Sequence, residues 1–319
     1  PRGAPMNLLA SLRYLVALQE HRHFGRAAQA CHITQPALSN ALRALEDEFG
    51  VVIVRRGRSF AGFTTEGERV LASARLMLRE REVLQQDLQS QSGQPQGRLL
   101  LGAVPAAVPV AARFAARLQA LHPGIVPTVR SMSSPEIEAA LDNLQLDLGL
   151  GYSDRLGPST GRLEVVPQYV EHYYLVRRAT RPAARGMRWG QGLEWSEAAR
   201  LPLCLLTPEM HNRSIVDAAF AGVGVTVVPA METNSILTLA IAVAEGQVCS
   251  VVPGAVLGAV RTWRELEALP LTEPTLGTPV ALWALQSPRQ PPALAAALDL
   301  ARAPDWLQHA ARHSGTLAG

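Results

Sequence analysis

The chain has 319 residues, of which 48% are apolar and 18% charged. That is enough to bury a sizeable core, excludes a disordered chain, and at about 150 residues per domain leaves room for a small domain plus a two-lobed one. No uncharged apolar run of about 18 residues occurs, so no membrane span is expected. Met6 follows no apolar leader, Pro1 to Pro5 read as an appended segment, and a cytoplasmic location is expected. Cys31, Cys204 and Cys249 are too few and too scattered for a disulfide framework or a zinc cluster, and no metal or other cofactor is expected. All thirty basic residues are arginine; residues 1–92 carry 12 of them against 9 acidic residues, and residues 93–319 carry 18 against 18. A basic head on a neutral body points to an anionic partner for the head, of which nucleic acid is the usual one.

In chain order, Leu8, Leu12, Leu15, Val16 and Leu18 give a helical stripe over 7–21, broken at His23-Phe24-Gly25. A short Ala-rich helix is expected from Arg26 to about His32. Thr34 offers an N-cap and Pro36 an N1 proline to a third helix over about 35–48. Its leucines, Leu38, Leu42 and Leu45, share one face, and Gly50 ends it. Val51 to Val54 and the stretch to Phe63 read as two short strands around Arg55-Arg56-Gly57-Arg58. Three short helices and a hairpin make a winged helix-turn-helix over 6–65. Gln35, Pro36, Ser39, Asn40 and Arg43 lie opposite the leucines, where Gln and Asn can grip adenine and Arg guanine in the major groove of double-stranded DNA. Arg55, Arg56 and Arg58 on the wing suit phosphate or minor-groove contacts, and Arg26 and Thr34 join the same candidate surface. A polar helix face alone is more often simply solvated. The basic balance, the Pro-started helix and the Arg-tipped hairpin together favour DNA.

These residues carry a family resemblance. Phe24-Gly25-Arg26-Ala27-Ala28, Thr34-Gln35-Pro36-Ala37-Leu38-Ser39, Leu42, Leu45-Glu46, Phe49-Gly50 and Thr64 through Gly67 resemble the DNA-binding signature of LysR-type transcriptional regulators. Ile53-Val54-Arg55-Arg56 departs from it, since the family usually has a Leu-Phe pair before the arginine. The resemblance implies dimer pairing through the next helix, commonly a tetramer, and RNA polymerase is an expected partner at promoters. That helix is expected as a linker over 66–92, opened by the capping-box spacing of Thr65-Glu66-Gly67-Glu68. Val70, Ala74, Met77, Leu84 and Leu88 follow a four-three alternation interrupted at Arg81, a narrow seam suited to a second copy of itself or to its own domain. Ser92-Gly93-Gln94-Pro95-Gln96-Gly97 then breaks the pattern.

Residues 93–319 read as an effector-binding domain. The order strand (98–104), helix (about 107–121), strand (125–131), helix (135–144), strand (146–151) is a parallel α/β start. Apolar runs near 172–177, 201–206, 225–230 and 248–252, helices near 212–221 and 235–245, a late run Val280 to Leu285 and Ala-rich final helices follow. The expected fold is α/β, with lobe 1 from 98–163 and 270–319 and lobe 2 from 164–269. The resemblance implies a type-2 periplasmic-binding-protein fold, with its ligand in the cleft at strand ends and helix starts. Three helix starts are candidates: Ala106 and its neighbours, offering backbone N–H groups; Ser131, Ser133 and Ser134, with Ser134 as N-cap; and Thr207, His211, Asn212 and Arg213. Thr233 is a possible fourth wall. A helix N-terminus with hydroxyls favours a small anion, while a neutral or aromatic effector stays open. Each residue also has a structural reading: Ser134 and Thr207 as plain caps, Arg213 paired with Asp217, His211 as a surface histidine.

The expected function is a DNA-binding transcriptional regulator modulated by a small-molecule effector. The alternative trigger is redox chemistry at Cys204 and Cys249, although both sit in apolar strand-like runs that suit inert buried thiols. No Gly-rich phosphate loop, HExxH, CxxC or nucleophile elbow is present, so an enzyme is not expected.

Overall fold

The computed structural model describes residues 7–57, 60–90, 94–155 and 161–314, with only the backbone at Arg56 and Arg155. The chain divides into two compact units between Gln89 and Ser90.

The first unit holds α1 (Leu8–His21), α2 (Phe24–Ala30), α3 (Gln35–Phe49), β1 (Val54–Arg56), β2 (Phe60–Phe63) and α4 (Thr65–Gln89). Each helix starts where a short polar side chain stops the backbone. Asn7 Oδ1 accepts from the Ala10 N–H, His23 Nδ1 from Arg26 N–H, and Thr34 Oγ1 from Ala37 N–H. Gly50, at φ 65°, ends α3 in the left-handed region. Leu38, Leu42 and Leu45 of α3 are buried with Leu12, Leu15 and Leu18 of α1, Ala27 and Ala28 of α2, and Leu71 and Ala74 of α4. β1 and β2 pair antiparallel as the wing. The cap of α4 falls one residue earlier than the sequence spacing suggests, because Thr64 Oγ1 accepts from Gly67 N–H at 2.9 Å. Gly67 is required there: a Cβ would stand 2.2 Å from the Ile53 carbonyl oxygen.

The second unit begins with β3 (Gly97–Ala103), α5 (Val108–Leu121), β4 (Ile125–Ser131), α6 (Ser134–Asp142) and β5 (Leu148–Tyr152). Then come β6 (Leu163–Arg178), β7 (Arg188–Trp189), β8 (Leu193–Glu194), α7 (Trp195–Ala198), β9 (Cys204–Leu206) and α8 (His211–Gly222). The rest is β10 (Met231–Thr233), α9 (Ile236–Glu245), β11 (Ser250–Pro253), α10 (Gly254–Val260), β12 (Leu266–Thr272), β13 (Gly277–Leu285), α11 (Pro292–Arg302) and α12 (Pro304–Ser314). Among the described residues, no helix is long and apolar enough to cross a membrane.

β3 is flanked by β4 and β5 in parallel, and β5 pairs antiparallel with β13. β6 organises the unit. It pairs with β13 from Leu163 to His172, then with β11 and β12 from Tyr173 to Arg178. Side chains follow the change of partners: Val166 and Tyr169 pack with β3, β5, α5 and α11, while Tyr174 and Val176 pack with Cys204, Leu239, Val243 and α10. On the opposite face, Tyr173 and Leu175 join Trp195, Leu203, Leu205 and Phe220. Trp283 of β13 is fully buried over Gly149 and Gly151 of β5, where an added Cβ at Gly151 would approach its ring to 2.9 Å. Two glycines on one face of a strand leave the trough that an indole fills.

The apolar run at 225–230 forms no strand. Pro229 cannot donate to a ladder, and β9 is instead paired in parallel by β10, a few residues later. Two elements carry weak sequence signals. The seven residues of α10 are almost wholly buried and show no polar face. β12 contains Pro270, which is tolerated opposite Tyr174 at one end of the β6 pairing.

Candidate nucleic-acid interface and ligand site

In the first unit, α3 turns its three leucines inward and leaves Thr34, Gln35, Pro36, Asn40 and Arg43 exposed, with Ser39 half-buried. Arg43 Nη1 donates to Asn40 Oδ1 at 3.4 Å, so the two lie side by side on the outer face. Gly25 of α2 lies near the start of α3: a Cβ there would stand 3.4 Å from Gln35 Oε1, an ordinary contact. Arg26 is exposed but tied back, its Nη2 donating to the His21 carbonyl at the end of α1. Arg55 is exposed on the wing, while Arg58 and the side chain of Arg56 lie outside the described residues. Glu46, which sequence reasoning passed over as a site residue, joins α3 to the wing. Its Oε1 accepts from the Ile53 and Val54 N–H groups at 3.0 and 3.1 Å. An acidic residue on the last turn of a helix, followed by a tight Gly50 turn into a strand, was the available signal.

The second unit rearranges the expected ligand residues. Ser133, not Ser134, caps α6: Glu136 Oε2 accepts from both the Ser133 N–H and its hydroxyl, and these bonds hold the Glu136 carboxyl below its usual range. Ser134 is instead 1% exposed, and its hydroxyl has no hydrogen-bond partner. Thr207 is not a cap either, because α8 starts four residues later and the Thr207 hydroxyl donates to Glu209. Ser131 is exposed at the end of β4, Ala106 is buried in a tight turn after β3, and the Thr233 hydroxyl accepts from Ser235 N–H.

Arg213 is a clamp. Its Nε donates to both Asp217 carboxylate oxygens at 2.8 and 3.0 Å, and its Nη1 to Glu232 at 2.6 Å and to the Leu206 carbonyl at 2.7 Å. Two carboxylates already neutralise this half of α8, so Arg213 stands as a paired cation.

What the structure does gather is the carboxyl end of β5. Asn212 donates to the Tyr152 hydroxyl at 3.1 Å, and the His211 ring lies 5.3 Å from that of Tyr152. His211 Nε2 is buried without a hydrogen bond, 3.6 Å from an Asp154 oxygen. Trp283 Nε1 is likewise buried and unpartnered. Ser134 lies one turn before Ile137, which faces Gly149 of β5. Buried polar atoms without partners are rare. His211 stands beside Tyr152 at the carboxyl end of β5, whereas Trp283 pairs with Gly149 near the start of that strand and Ser134 belongs to α6, on the face that Gly149 turns to Ile137. Sequence reasoning named Ser134 and His211 as candidates but not Trp283, Tyr152 or Asp154; the Gly149/Gly151 alternation was the signal for the tryptophan.

Where β6 changes partners, Glu171 is fully buried. Its Oε1 accepts from Ala255 N–H at 2.9 Å and its Oε2 from the Tyr169 hydroxyl at 3.4 Å. Burial pushes its carboxyl up to about 8, with the two bonds pulling the other way. Burial also raises the Tyr152 and Tyr169 phenols.

Cys204 packs with Leu206 and Val243, whereas Cys249, bridged to Leu203, packs on the opposite face with Leu203 and Leu205. Burial raises both thiols. Among the described residues, no cluster of three or more His, Cys, Asp or Glu side chains is arranged to hold a metal ion.

Comparison with known proteins follows these two units. Residues 9–68 match the bacterial regulatory helix-turn-helix proteins of the lysR family, and residues 92–304 match the LysR substrate binding domain. The DNA-binding transcriptional dual regulator OxyR of Escherichia coli K12 is 36% identical over 158 residues, 50% of this chain and 47% of that protein. A hydrogen peroxide-inducible genes activator of Pectobacterium carotovorum is 36% identical over 143 residues, 44% of this chain and 47% of that protein. The chain thus spans about half the length of the curated relatives it matches. Full-length OxyR from Pseudomonas aeruginosa superposes with a TM-score of 0.65 at 26% identity, over 93% of this chain and 98% of that one. Full-length CbnR in complex with its target DNA shares the fold, with a TM-score of 0.62 at 19% identity over 95% and 99%.

Proposed function

The chain belongs to the LysR family of bacterial DNA-binding regulators, and from that premise we propose how its two units divide the work. The outer face of α3 reads base edges in the major groove of double-stranded DNA, with Gln35 and Asn40 suited to adenine and Arg43 to guanine. Arg55 on the wing holds a phosphate. The observation that carries this reading is the sorting of α3, apolar side chains inward and amide and guanidinium groups outward. Two-fold pairing through the exposed Met77, Leu84 and Leu88 of α4 would set two such helices about one turn of DNA apart. Arg43→Ala is expected to cost about 1–3 kcal/mol at the operator and much less on random duplex. Equal losses on both would make Arg43 a phosphate contact and remove it as a reader.

The second unit takes a small ligand at the carboxyl end of β5 and transmits its presence to the DNA-bound assembly. His211 is support for this: its buried Nε2 has no hydrogen bond beside Tyr152 and Asn212 and can donate to an acceptor-rich guest such as a carboxylate. A thermal-shift screen of small organic acids against the full chain tests it, with His211→Ala expected to weaken any hit. A hit unaffected by His211→Ala and Asn212→Ala places the ligand elsewhere.

The names of the peroxide-responsive relatives favour a second trigger, oxidation of cysteine. Against it stand the opposite-facing burial of Cys204 and Cys249, which a disulfide cannot bridge without moving the strands, and their raised thiol pKa values. Regulation should survive Cys204→Ser with Cys249→Ser; its loss in that double variant would favour the redox trigger.

A further inference from the structure

The second unit neutralises its half-buried arginines with carboxylates in two places. Arg213 has Asp217 and Glu232, and Arg177 has Glu267 at 2.7 Å. One region breaks the pattern. Arg113 and Arg117 stand one turn apart on α5, and His309 and His313 one turn apart on α12, which packs against it. Arg113 Nη2 donates to the Gly258 carbonyl of α10 at 3.0 Å, and Gly258 in turn lies against the backbone of His313, so close that a Cβ would stand 2.2 Å from its carbonyl oxygen. The His309 and His313 rings stack with centroids 4.3 Å apart, and Trp306 lies under His309. Arg312 extends from the same last turn of α12.

No carboxylate enters this arrangement: among the described residues Arg113, Arg117, Arg312 and His309 form no ion pair. Arg113 Nη1 is spent on the Pro109 carbonyl, which fixes the guanidinium in place. Arg117 Nε is buried and has no hydrogen-bond partner. Burial, then His313, Arg117, Arg113 and Arg312, hold the His309 imidazole below its ordinary range, as a field of one sign requires. Arg113 and Arg117, half-buried one turn apart without a counter-charge, repel each other, and an anion seated beside them removes that cost. Guanidinium groups fit tetrahedral oxyanions through charge-assisted N–H···O bonds, and the half-buried Arg117, which forms no ion pair, offers such a group.

We propose that the face shared by α5 and α12 is a second anion site, which takes a phosphate-class oxyanion between Arg117, Arg312 and the His309–His313 pair. Free phosphate esters and the DNA backbone both supply that chemistry. The site is built from other residues than the ligand set at β5, so it stands or falls independently of that reading.

The test is a titration of the full chain with inorganic phosphate against chloride at matched ionic strength, followed by thermal unfolding. The expected result is a saturable rise in Tm with phosphate that Arg117→Met weakens at least tenfold and Arg117→Lys weakens less. In chloride alone Arg117→Met should melt at or above the parent, since it removes a repelling charge while keeping an apolar stem. Equal responses to phosphate and chloride, or a phosphate response unchanged in Arg117→Met, would overturn the proposal. A parallel measurement of duplex affinity against salt separates the two sources. A salt slope about one unit shallower in Arg117→Met assigns the backbone, and an unchanged slope beside a lost phosphate response assigns a free phosphate.

Discussion

Glu171 offers a perturbation whose size follows from its surroundings. Its carboxyl rises from 4.5 to about 8 because burial penalises the charged form more than the Ala255 N–H and Tyr169 hydroxyl favour it. Between those two values the folded chain holds a proton that the unfolded chain has released, so stability must fall as pH rises through that window. The stabilisation is complete below the unfolded pKa and gone above the folded one. The slope is about 1.4 kcal/mol per pH unit, or about 4 kcal/mol between pH 5 and pH 8. For a unit of this size that corresponds to about 10 °C in Tm. Glu171→Gln keeps an oxygen for the Ala255 N–H and cannot ionise. Its Tm should therefore lie near the parent's at pH 5 and climb above it by about 10 °C towards pH 9. Measuring the difference between the two proteins at each pH cancels every other titrating group. A difference that stays flat from pH 5 to pH 9 would refute the argument, because Glu171 would then be titrating as an exposed carboxylate does.

Three further outcomes follow from contacts described above. Arg213→Met should lower the Tm of the second unit by removing charged hydrogen bonds to Asp217, Glu232 and the Leu206 carbonyl, a loss of about 1.5–3 kcal/mol in thermal or urea unfolding. DNA affinity of the intact variant should not change. Gly67→Ala drives a methyl into the Ile53 carbonyl and should cost about 1–3 kcal/mol in the first unit by the same assays. Glu46→Ala leaves the Ile53 and Val54 N–H groups without their acceptor; about 1–3 kcal/mol and faster amide exchange at those two positions are expected, whereas Glu46→Gln should retain most of the stability.

The first unit was almost wholly legible because its signals are local. Thr34, Pro36, the leucine triplet and Gly50 each act within a few residues, and the helix and wing fall where those residues put them. In the second unit most elements were legible, apart from 225–230, α10 and β12, and the partners of the candidate site residues were not. Arg213 pairs with Asp217 as their i+4 spacing allows, but its second carboxylate, Glu232, comes from β10, nineteen residues away. Whether Ser134 or Ser133 caps α6 depends on which hydroxyl Glu136 reaches. The indole of Trp283 is marked only by the glycine pair on a strand more than 130 residues earlier, and the buried acid at Glu171 sits just ahead of a run read as apolar, where no short-range pattern marks it. The anion face joins α5 to α12, nearly two hundred residues apart along the chain.

Glu46 carries a consequence for how this protein meets its operator. Because one carboxylate at the end of α3 grips both N–H groups that open the wing, the helix and the hairpin cannot adjust their spacing independently. When groove width at a site differs from the distance between them, the strain falls on the nucleic acid. Steps that kink easily between the helix-contacted bases and the wing-contacted backbone should then be preferred, even where no side chain touches them. A stiff reading head turns duplex flexibility into part of the recognised sequence.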